Sequence, residues 1–344
     1  MKVCIYIDSK GMGGIETHIH QLILGLLEST DYDIDLLFWR NYSLQANKQH
    51  PLLNKLQALS PRANKRVCYV TANGSILSLI KYFRKNISIV HTHGYKAGIT
   101  ARIIGLLTRT PIISTYHNGD PGTGKLKLYN LIDRISSFLS RNIAVNKDIS
   151  NSLSRCNVIS NFVSTIDKKQ FHKEINFRNT IAFVGRLSHE KGPDIFAGIT
   201  KEMNYKISAY GDGPMMKQLK ESYPRIEFKG MCDMEDHWQE IRVLVMPSRY
   251  EGLPLAALEA MARGIPVIAS NAGALPQLIE RSGTGKTISL DNLTDFQDEI
   301  EGIMTQQIDD YNLQGEHLID FIDKNYSRKE TLPKIINQYK AALG

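Results

Sequence analysis

The stretch VLVMPSRYEGLPLAALEAMARGIPVIAS, residues Val243–Ser270, decides the fold class. Two short apolar runs within it, Val243–Met246 and Pro266–Ser270, have the length and character of buried strands. Between them, Pro254 stands where a helix would begin and Gly264 stands where it would end. The stretch therefore predicts a strand–loop–helix–strand unit, which almost always forms a right-handed parallel crossover.

Two glutamates of this stretch could serve either structure or binding. Glu251 lies in the loop before the predicted helix, and Glu259 lies inside the helix at helical spacing from Leu255 and Ala262. That spacing turns Glu259 toward the buried side, where an unpaired carboxylate is costly. One explanation is a salt bridge from Glu259 to Arg263, with Glu251 in solvent. The other is a ligand site that uses both carboxylates, and the local pattern leaves the two explanations open.

The composition indicates a globular protein of two domains in a reducing compartment. The chain has 344 residues, of which 42% are hydrophobic and 22% are charged, so wholesale disorder is excluded. Its 4 cysteines form no C-x-x-C pair, which argues against a disulfide framework and a zinc cage. The first apolar run, Val3–Ile7, is too short for a signal peptide, and no later run has membrane-spanning length. We therefore expect a cytoplasmic location.

The net charge of +7 is concentrated in the first half of the chain. Residues 1–165 carry 20 Lys and Arg against 9 Asp and Glu, a net +11, and the remainder carries −4. This bias favours an anionic partner for the first half, such as nucleic acid, anionic lipid or a phosphorylated substrate. Most of these cations are expected on solvated helix faces, but a cluster of them would hold a protein peripherally on the inner face of the cell membrane. The cations considered are Lys81, Arg84, Lys85, Arg102, Arg109, Lys125, Lys127 and Arg134.

Strands alternate with helices in both halves, which predicts two doubly wound parallel sheets with helices on both faces. The polar segment Ile166–Asn179 is predicted to be a linker. We therefore expect one Rossmann-like domain at 1–165, a second at 166–325, and a last helix at 326–344 that returns to the first domain. The other predicted strands are Val3–Ile7, Ile34–Trp39, Ser88–His91, Pro111–Thr115, Asn142–Val145, Thr180–Val184, Tyr205–Tyr210, Arg225–Lys229 and Gly285–Ser289.

Cations and tight turns follow the strands of the second half. Arg186 and Lys191 come just after one strand, and the turn Gly211–Pro214 comes after the next. Fixed positive charge at strand ends is what a diphosphate requires, both for binding and for stabilisation as a leaving group. Either cation alone would be better explained as a surface residue at a turn.

Three segments of the second half resemble the signatures of glycosyltransferase family 4, the retaining GT-B enzymes that use nucleotide-sugar donors. They are FVGRLSHEKG, AYGDGP and MPSRYEGLPLAALEAMARGIPVIAS, and the Glu251–Glu259 spacing is the Glu-x7-Glu pattern of that family. Weaker matches in the first half are GMGGIETH, VHTHG, STYHN and VISNFV. The resemblance implies two Rossmann-like domains that face each other across a cleft.

The resemblance also implies roles for individual residues. Arg186 and Lys191 would bind the donor diphosphate, and Glu251 would contact hydroxyls of the transferred sugar, with the Gly252 and Leu253 amides nearby. Glu259 would hold the ribose hydroxyls. In the first domain, Gly13 and Gly14 would let the backbone approach the donor phosphate or the acceptor, and His117 would lie near the reacting sugar.

The expected reaction is transfer of a hexose or N-acetylhexosamine from a UDP-sugar, or else a GDP-sugar, to a hydroxyl of a lipid-linked or oligosaccharide acceptor in surface polysaccharide biosynthesis. The resemblance implies retention and independence of metals and cofactors, and nucleic acid is not expected as a partner. The alternatives are a nucleotide-sugar epimerase of the same fold and a non-catalytic sugar-nucleotide-binding protein. Departures from the family pattern at Ala274, Gln277 and 161–164 concern the donor preference more than the reaction type.

Three further patterns imitate ligand sites. Asp31, Asp33 and Asp35 imitate a metal-binding Asp-x-Asp but enter a strand, so a solvated strand face is expected. His91 and His93 share one face of a strand end without an evident third ligand, which favours a position in the cleft or hydrogen-bonded core histidines over a metal site. The glycines of 11–14 lack the spacing of a dinucleotide fingerprint and are interpreted as a close-approach loop.

Overall fold

The computed structural model describes residues 1–9, 11–40, 50–57, 65–85, 87–117 and 124–344. Asn118 of the STYHN segment and the Lys125 side chain, both considered above, lie outside what is described. The chain forms two compact units, the first made of residues 1–161 and 331–344 and the second of residues 162–330.

The first unit contains a seven-stranded parallel sheet with the strand order β3-β2-β1-β4-β5-β6-β7. Its strands are β1 (Lys2–Ile7), β2 (Asp33–Phe38), β3 (Val67–Thr71), β4 (Ile89–His93), β5 (Ile112–Tyr116), β6 (Arg141–Ala144) and β7 (Cys156–Val158). Its helices are α1 (Gly14–Ser29), α2 (Pro51–Gln57), α3 (Ile76–Phe83), α4 (Tyr95–Thr108), α5 (Lys125–Ile135) and α6 (Lys147–Ser150).

The second unit contains a six-stranded parallel sheet with the strand order β10-β9-β8-β11-β12-β13. Its strands are β8 (Thr180–Val184), β9 (Lys206–Tyr210), β10 (Glu227–Gly230), β11 (Ile241–Met246), β12 (Val267–Ser270) and β13 (Lys286–Ile288). The remaining helices are α7 (Lys168–Glu174), α8 (Pro193–Thr200), α9 (Met216–Ser222), α10 (Leu255–Met261), α11 (Leu275–Ser282), α12 (Leu293–Thr305), α13 (Ile308–Tyr326) and α14 (Arg328–Leu343).

The prediction of two doubly wound parallel sheets is confirmed. The stretch Val243–Ser270 forms the predicted unit of β11, loop, α10 and β12, and both strands are fully buried because helices cover both faces of the sheet. In each sheet the strand order reverses beside the first strand, between β1 and β4 and between β8 and β11. Loops at the carboxyl ends of strands that flank such a switch point are where doubly wound folds bind ligands.

Three local predictions were wrong. The segment 166–179 is not a plain linker, because Asp167 caps α7 by accepting from the Gln170 amide at 2.8 Å and Phe171 packs into the core of the second unit. Asp35 does not face solvent with Asp31 and Asp33. It is buried and accepts a hydrogen bond from the Tyr82 hydroxyl, since β2 is covered on both sides.

Arg102 is not a surface cation either. Its guanidinium is fully buried, and its Nη1 lies 2.7 Å from Oδ1 of Asp133. Its other donors bind Ser140, Ser136 and the Tyr116 hydroxyl. A buried guanidinium needs this complete set of acceptors, so Arg102 stabilises the contact between α4 and α5 and cannot attract an anionic partner.

Candidate functional site

In the second unit, the loops that follow β8, β9, β11 and β12 are in direct backbone contact. A Cβ on Gly211 would lie 2.0 Å from the Gly185 carbonyl oxygen, and one on Gly192 would lie 2.0 Å from that of Pro247. A Cβ on Gly273 would lie 2.2 Å from the carbonyl oxygen of Glu251. These distances leave no room for a side chain, so the glycines allow the four strand-end loops to assemble closely.

Lys191 and Glu251 come together across the switch point of this sheet. The Lys191 ammonium lies 2.8 Å from Oε2 of Glu251, and the Ser248 hydroxyl donates to Oε1 at 2.8 Å. The Glu251 side chain is 3% exposed and the Lys191 side chain is 31% exposed. A buried carboxylate is therefore held by a half-exposed cation that has further donors available for an anion.

Arg186 follows the same strand as Lys191 and is exposed. Among the described residues, its guanidinium forms no hydrogen bond or ion pair, although its charge helps to lower the pKa of the nearby Glu190. Arg186 and Lys191 thus lie on one loop, one uncommitted and the other paired with Glu251. A surface cation at a turn is a sufficient explanation for Arg186. It is not sufficient for Lys191, because Lys191 is paired with the buried Glu251.

Arg249 fastens the two loops to each other. Its amide donates to the Glu190 carbonyl at 2.8 Å, and its guanidinium forms a two-point pair with Asp194 at 3.0 and 2.7 Å. Because the guanidinium donates to the carboxylate, the pKa of Asp194 lies below its ordinary value. Sequence reasoning overlooked Arg249, although it stands inside the quoted stretch two residues before Glu251.

Glu259 is half-buried on α10, beside the fully buried Leu258 and Ala262. Arg263, the alternative partner considered from the sequence, donates from Nη2 to both carboxylate oxygens of Glu235 at 2.6 Å. It also donates to the main-chain carbonyl of Glu259 at 3.1 Å. The Arg263 side chain therefore braces the end of α10 against the segment that carries Glu235.

Gly252 and Leu253 are both buried and lead into α10, a helix of only 7 residues.

Of the departures from the family pattern, Ala274 caps α11 at a φ of −87°, where any residue is accommodated. The preceding Gly273, at a φ of 56°, is the position that requires glycine. Gln277 is exposed on the same helix.

In the first unit, four histidines gather at the carboxyl ends of β4 and β5. His91 and His93 lie on β4, His117 follows β5, and His18 projects from α1. His91 is a hydrogen-bonded core histidine, as expected, because its two ring nitrogens contact the Tyr339 hydroxyl at 2.7 Å and the Thr115 hydroxyl at 2.6 Å.

His93 differs from His91. Its Nδ1 lies 2.9 Å from Nε2 of His117, and a ring nitrogen from each of His18, His93 and His117 lies within 4.8 Å of the other two. The pair of His91 and His93 considered from the sequence is therefore not the cluster that forms, because His93 lies with His18 and His117 and His91 does not. Sequence reasoning missed His18, although its spacing from Leu22 and Leu26 puts it on the buried face of α1.

Burial governs the charge of this cluster. Desolvation lowers the pKa of His117 to about 4. It lowers the pKa of His91 to about 3, with the neighbouring His117 imidazole adding to the effect. The pKa values of His18 and His93 are lowered for the same reasons. The four rings are therefore neutral at pH 7.

Gly13 and Gly14 lie where the loop after β1 becomes α1. Gly13 is the extended N-cap residue, and a Cβ on Gly14 would meet nothing within 4 Å. A ligand could therefore approach the backbone closely at Gly14. The φ of Gly14 is not in the left-handed region, so the backbone conformation itself does not require glycine there.

Two family models match the chain, Glycosyl transferases group 1 over residues 178–306 and Glycosyltransferase Family 4 over residues 12–166. One relative is the UDP-Gal:alpha-D-GlcNAc-diphosphoundecaprenol alpha-1,3-galactosyltransferase of Escherichia coli, 27% identical over 77% of this chain and 81% of its own. Another is the O-antigen biosynthesis glycosyltransferase WbnH of Escherichia coli, 27% identical over 70% of this chain and 75% of its own.

Solved structures show the same fold. HepE of Anabaena, in complex with UDP and glucose, superimposes with a TM-score of 0.78 at 14% identity and covers 99% of this chain and 100% of its own. Sucrose-phosphate synthase of Thermosynechococcus elongatus superimposes with a TM-score of 0.76 at 16% identity, over 99% of this chain and 98% of its own. The chain therefore belongs to the family 4 glycosyltransferases, the group 1 glycosyl transferases, and has their GT-B fold of two Rossmann-like domains.

Proposed function

We propose that this glycosyltransferase is a retaining, metal-independent enzyme that transfers a hexose or N-acetylhexosamine from a UDP-sugar to a hydroxyl of a lipid-linked or oligosaccharide acceptor in surface polysaccharide biosynthesis. The observation that carries the proposal is the 2.8 Å pair of Lys191 and Glu251 at the switch point of the second sheet, with Arg186 on the same loop. It joins a cation for the diphosphate to a carboxylate for the sugar hydroxyls.

The relatives support the donor and acceptor classes. The Escherichia coli galactosyltransferase is named for UDP-Gal and a diphosphoundecaprenol-linked acceptor, and the HepE structures contain UDP, UDP-glucose or glucose. A GDP-mannose-dependent alpha-mannosyltransferase of Corynebacterium glutamicum, 28% identical over 45% of this chain, keeps a GDP-sugar as the second candidate donor.

In the proposed reaction, the bond between the anomeric carbon and the diphosphate oxygen breaks, and its electron pair stays on that oxygen. Arg186 and Lys191 stabilise the charge that develops there. The acceptor hydroxyl attacks the same face of the sugar and passes its proton to the leaving diphosphate. Glu251 orients the sugar hydroxyls through the carboxylate lone pairs that Lys191 and Ser248 leave available.

The remaining assignments follow the family resemblance. Glu259 holds the ribose hydroxyls, and the Gly252 and Leu253 amides contact the transferred sugar. Gly13 and Gly14 approach the donor phosphate or the acceptor, and His117 contacts the reacting sugar as a neutral imidazole, since burial lowers its pKa to about 4.

A donor panel tests the proposal directly. Thermal-shift measurements with UDP, GDP and their sugars identify the donor, because a bound ligand raises the apparent stability. Transfer is then measured for Glu251→Ala and Lys191→Ala, and proton NMR of the product reports its anomeric configuration. The matched control is Lys206→Ala, which removes the Lys206–Glu240 pair at the opposite, amino-terminal end of the strands.

The expected result is loss of transfer in both site variants and retention of it in Lys206→Ala, with or without EDTA. Full activity in Glu251→Ala and Lys191→Ala would exclude the site. Conversion of the donor sugar to an epimer without an acceptor would favour the epimerase alternative. Donor binding with neither transfer nor hydrolysis would favour the non-catalytic alternative, and an inverted product would exclude retention.

The proposal includes a peripheral position on the inner face of the cell membrane. Helix α4 packs against both α3 and α5 in the first unit, and all three carry large exposed apolar side chains. Leu77, Leu107 and Ile135 are 71%, 62% and 63% exposed. Exposed cations flank them at Lys81, Arg84, Lys85, Arg109 and Lys127. Apolar side chains rimmed by cations are suited to an anionic bilayer surface, and no helix among the described residues has the length and apolarity needed to span one.

Vesicle sedimentation tests this surface. Binding to vesicles with anionic lipid should exceed binding to neutral vesicles, and the double variant Leu107→Glu/Ile135→Glu should lose it. Leu313→Glu is the matched control, because Leu313 is 74% exposed on α13 of the second unit. Equal binding to both vesicle types, or none at low salt, would contradict the membrane assignment.

A further inference from the structure

His18, His93 and His117 form a cluster whose geometry is that of a metal site. One ring nitrogen from each lies within 4.8 Å of the other two. The rings belong to α1, to the end of β4 and to the residue after β5, so three separate elements of the first unit contribute. Because β1 and β4 flank the switch point and β5 is the next strand, the sheet topology itself brings the three rings together.

The fourth histidine, His91, is not part of the cluster, so the candidate ligands are three defined residues. Both ring nitrogens of His91 are occupied by the hydroxyls of Tyr339 and Thr115. His93, by contrast, has its Nδ1 against His117 and an Nε2 that is buried without a hydrogen-bond partner among the described residues. A buried imidazole nitrogen that lacks a protein partner needs another ligand or remains unsatisfied.

The chemistry of the cluster suits a transition metal. Neutral imidazole is the form that binds metal. The three rings pack against one another, with centroids 4.8–5.6 Å apart. With tetrahedral metal–nitrogen bonds of about 2.0–2.1 Å, two histidine nitrogens on one ion lie roughly 3.3 Å apart, a separation that small side-chain rotations reach from nitrogens within 4.8 Å of one another. Three imidazoles with no carboxylate favour Zn²⁺, Cu²⁺ or Ni²⁺ over Mg²⁺ or Ca²⁺.

We propose that His18, His93 and His117 bind one divalent transition-metal ion, with Zn²⁺ as the best match, and that the bound ion inhibits sugar transfer by occupying His117. The proposal of metal binding depends only on the positions of the three histidines. The inhibition rests on the function proposed above, in which His117 contacts the reacting sugar. Three protein ligands leave a coordination position open, so water or a substrate hydroxyl completes the shell.

Metal binding is measured first, on the full chain after treatment with a chelator and its removal. Titration with Co²⁺ should produce visible d–d bands with the intensity of a four- or five-coordinate ion and a stoichiometry of one. Zn²⁺ should displace it, and calorimetry with Zn²⁺ should give the same stoichiometry. A spectrum no stronger than that of aqueous Co²⁺ would overturn the site without reference to any variant or activity.

Variants then assign the ligands. His18→Gln and His93→Gln should each weaken Zn²⁺ binding by about 100-fold or more, since loss of a ligand exceeds the loss of a supporting partner. His189→Gln, at an exposed histidine of the second unit, is the matched control and should bind as the wild type does. Circular dichroism and thermal unfolding confirm that each variant is folded. Unchanged affinity in both folded cluster variants would overturn the assignment.

Inhibition is measured separately, with the donor identified by the panel above. Transfer by the wild type should fall at least tenfold between buffer with EDTA and buffer with Zn²⁺ at saturation, and transfer by His18→Gln should change little. Saturating Zn²⁺ that leaves wild-type transfer intact would overturn the inhibition while the site remains. Absence of transfer with every donor would instead contradict the proposed function, and the cobalt spectrum would be unaffected by that result.

Discussion

The Lys191 ammonium lies 2.8 Å from the Glu251 carboxylate across 60 residues of chain. This pair connects the loops that follow β8 and β11, which flank the switch point of the second sheet. Glu251 is buried and needs a cation, and Lys191 is half-exposed and retains donors for a diphosphate. One contact therefore supports the fold and presents a positive charge to the ligand.

The first prediction separates these two roles. Lys191→Ala should lower the free energy of unfolding by about 1–3 kcal/mol, because it leaves a buried carboxylate without its cation. Lys191→Ala/Glu251→Gln should recover most of this loss, since the amide carries no charge. Neither variant should transfer sugar. Urea unfolding and a transfer assay measure the two effects independently.

Lys206→Ala is the control for the stability measurement. Its pair with Glu240 has side chains 42% and 30% exposed, so its removal should cost less than about 1 kcal/mol. A double variant less stable than Lys191→Ala would mean that the Glu251 charge is satisfied without Lys191.

Replacement of Arg186 should weaken ligand binding with little effect on stability. Its guanidinium is exposed and forms no hydrogen bond or ion pair among the described residues, so Arg186→Ala should change the free energy of unfolding by less than about 0.5 kcal/mol. A charge-assisted hydrogen bond to the donor diphosphate contributes about 1.5–3 kcal/mol, so the variant should weaken UDP binding by roughly 10–100-fold. Calorimetry with UDP measures this.

Lys217→Ala, at an exposed lysine on α9 of the same unit, controls for general loss of positive charge. An equal loss of affinity in both variants would indicate long-range attraction instead of direct contact by Arg186.

The sequence was sufficient for the strands that are buried on both faces. β8 is apolar after Thr180 and β11 is apolar after Arg242, and each was predicted within two residues of its ends. β3 was missed because its side chains are exposed or half-exposed and its Val-Cys-Tyr-Val-Thr pattern is not uniformly apolar. The polar helix α13 was missed as well, because it buries only one narrow stripe.

The site was predictable in its residue types and not in its contacts. Glu251 and Lys191 were identified through the family resemblance, but nothing local in the chain indicates that they form a pair. The histidine cluster shows the same limit, since His18 and His117 are brought together by strand order and by the packing of α1. Contacts of this kind depend on the sheet topology, which short-range patterns do not specify.

Gly273 and Ala274 offer a matched pair of neighbouring positions. Gly273 has a φ of 56°, and a Cβ there would lie 2.2 Å from the Glu251 carbonyl oxygen. Gly273→Ala should therefore cost about 1–3 kcal/mol of stability and reduce donor binding, because the Glu251 loop has to move. Ala274→Gly should cost about 1 kcal/mol or less, since Ala274 has an ordinary negative φ. Urea unfolding and UDP calorimetry on both variants measure this, and equal effects would contradict the close approach.

The pair of Arg249 and Asp194 gives a pH-dependent prediction. The guanidinium holds the pKa of the Asp194 carboxyl below its ordinary value, so the folded state favours the ionised form. The stabilisation is therefore present above the carboxyl's ordinary pKa and is lost as the pH falls through the lower, folded pKa. Asp194→Asn lacks this contribution at every pH.

The difference in unfolding free energy between the wild type and Asp194→Asn should accordingly be largest near pH 7 and shrink in acid. Both side chains are partly exposed, 24% for Arg249 and 35% for Asp194, so the difference at neutral pH should be only about 0.5–1 kcal/mol. Urea unfolding at a series of pH values measures it, with urea chosen because guanidinium would screen the pair. A difference that stays constant into acid would mean that the ion pair between Asp194 and Arg249 contributes nothing. Asp194 would then stabilise α8 only through hydrogen bonds and packing that do not depend on its charge.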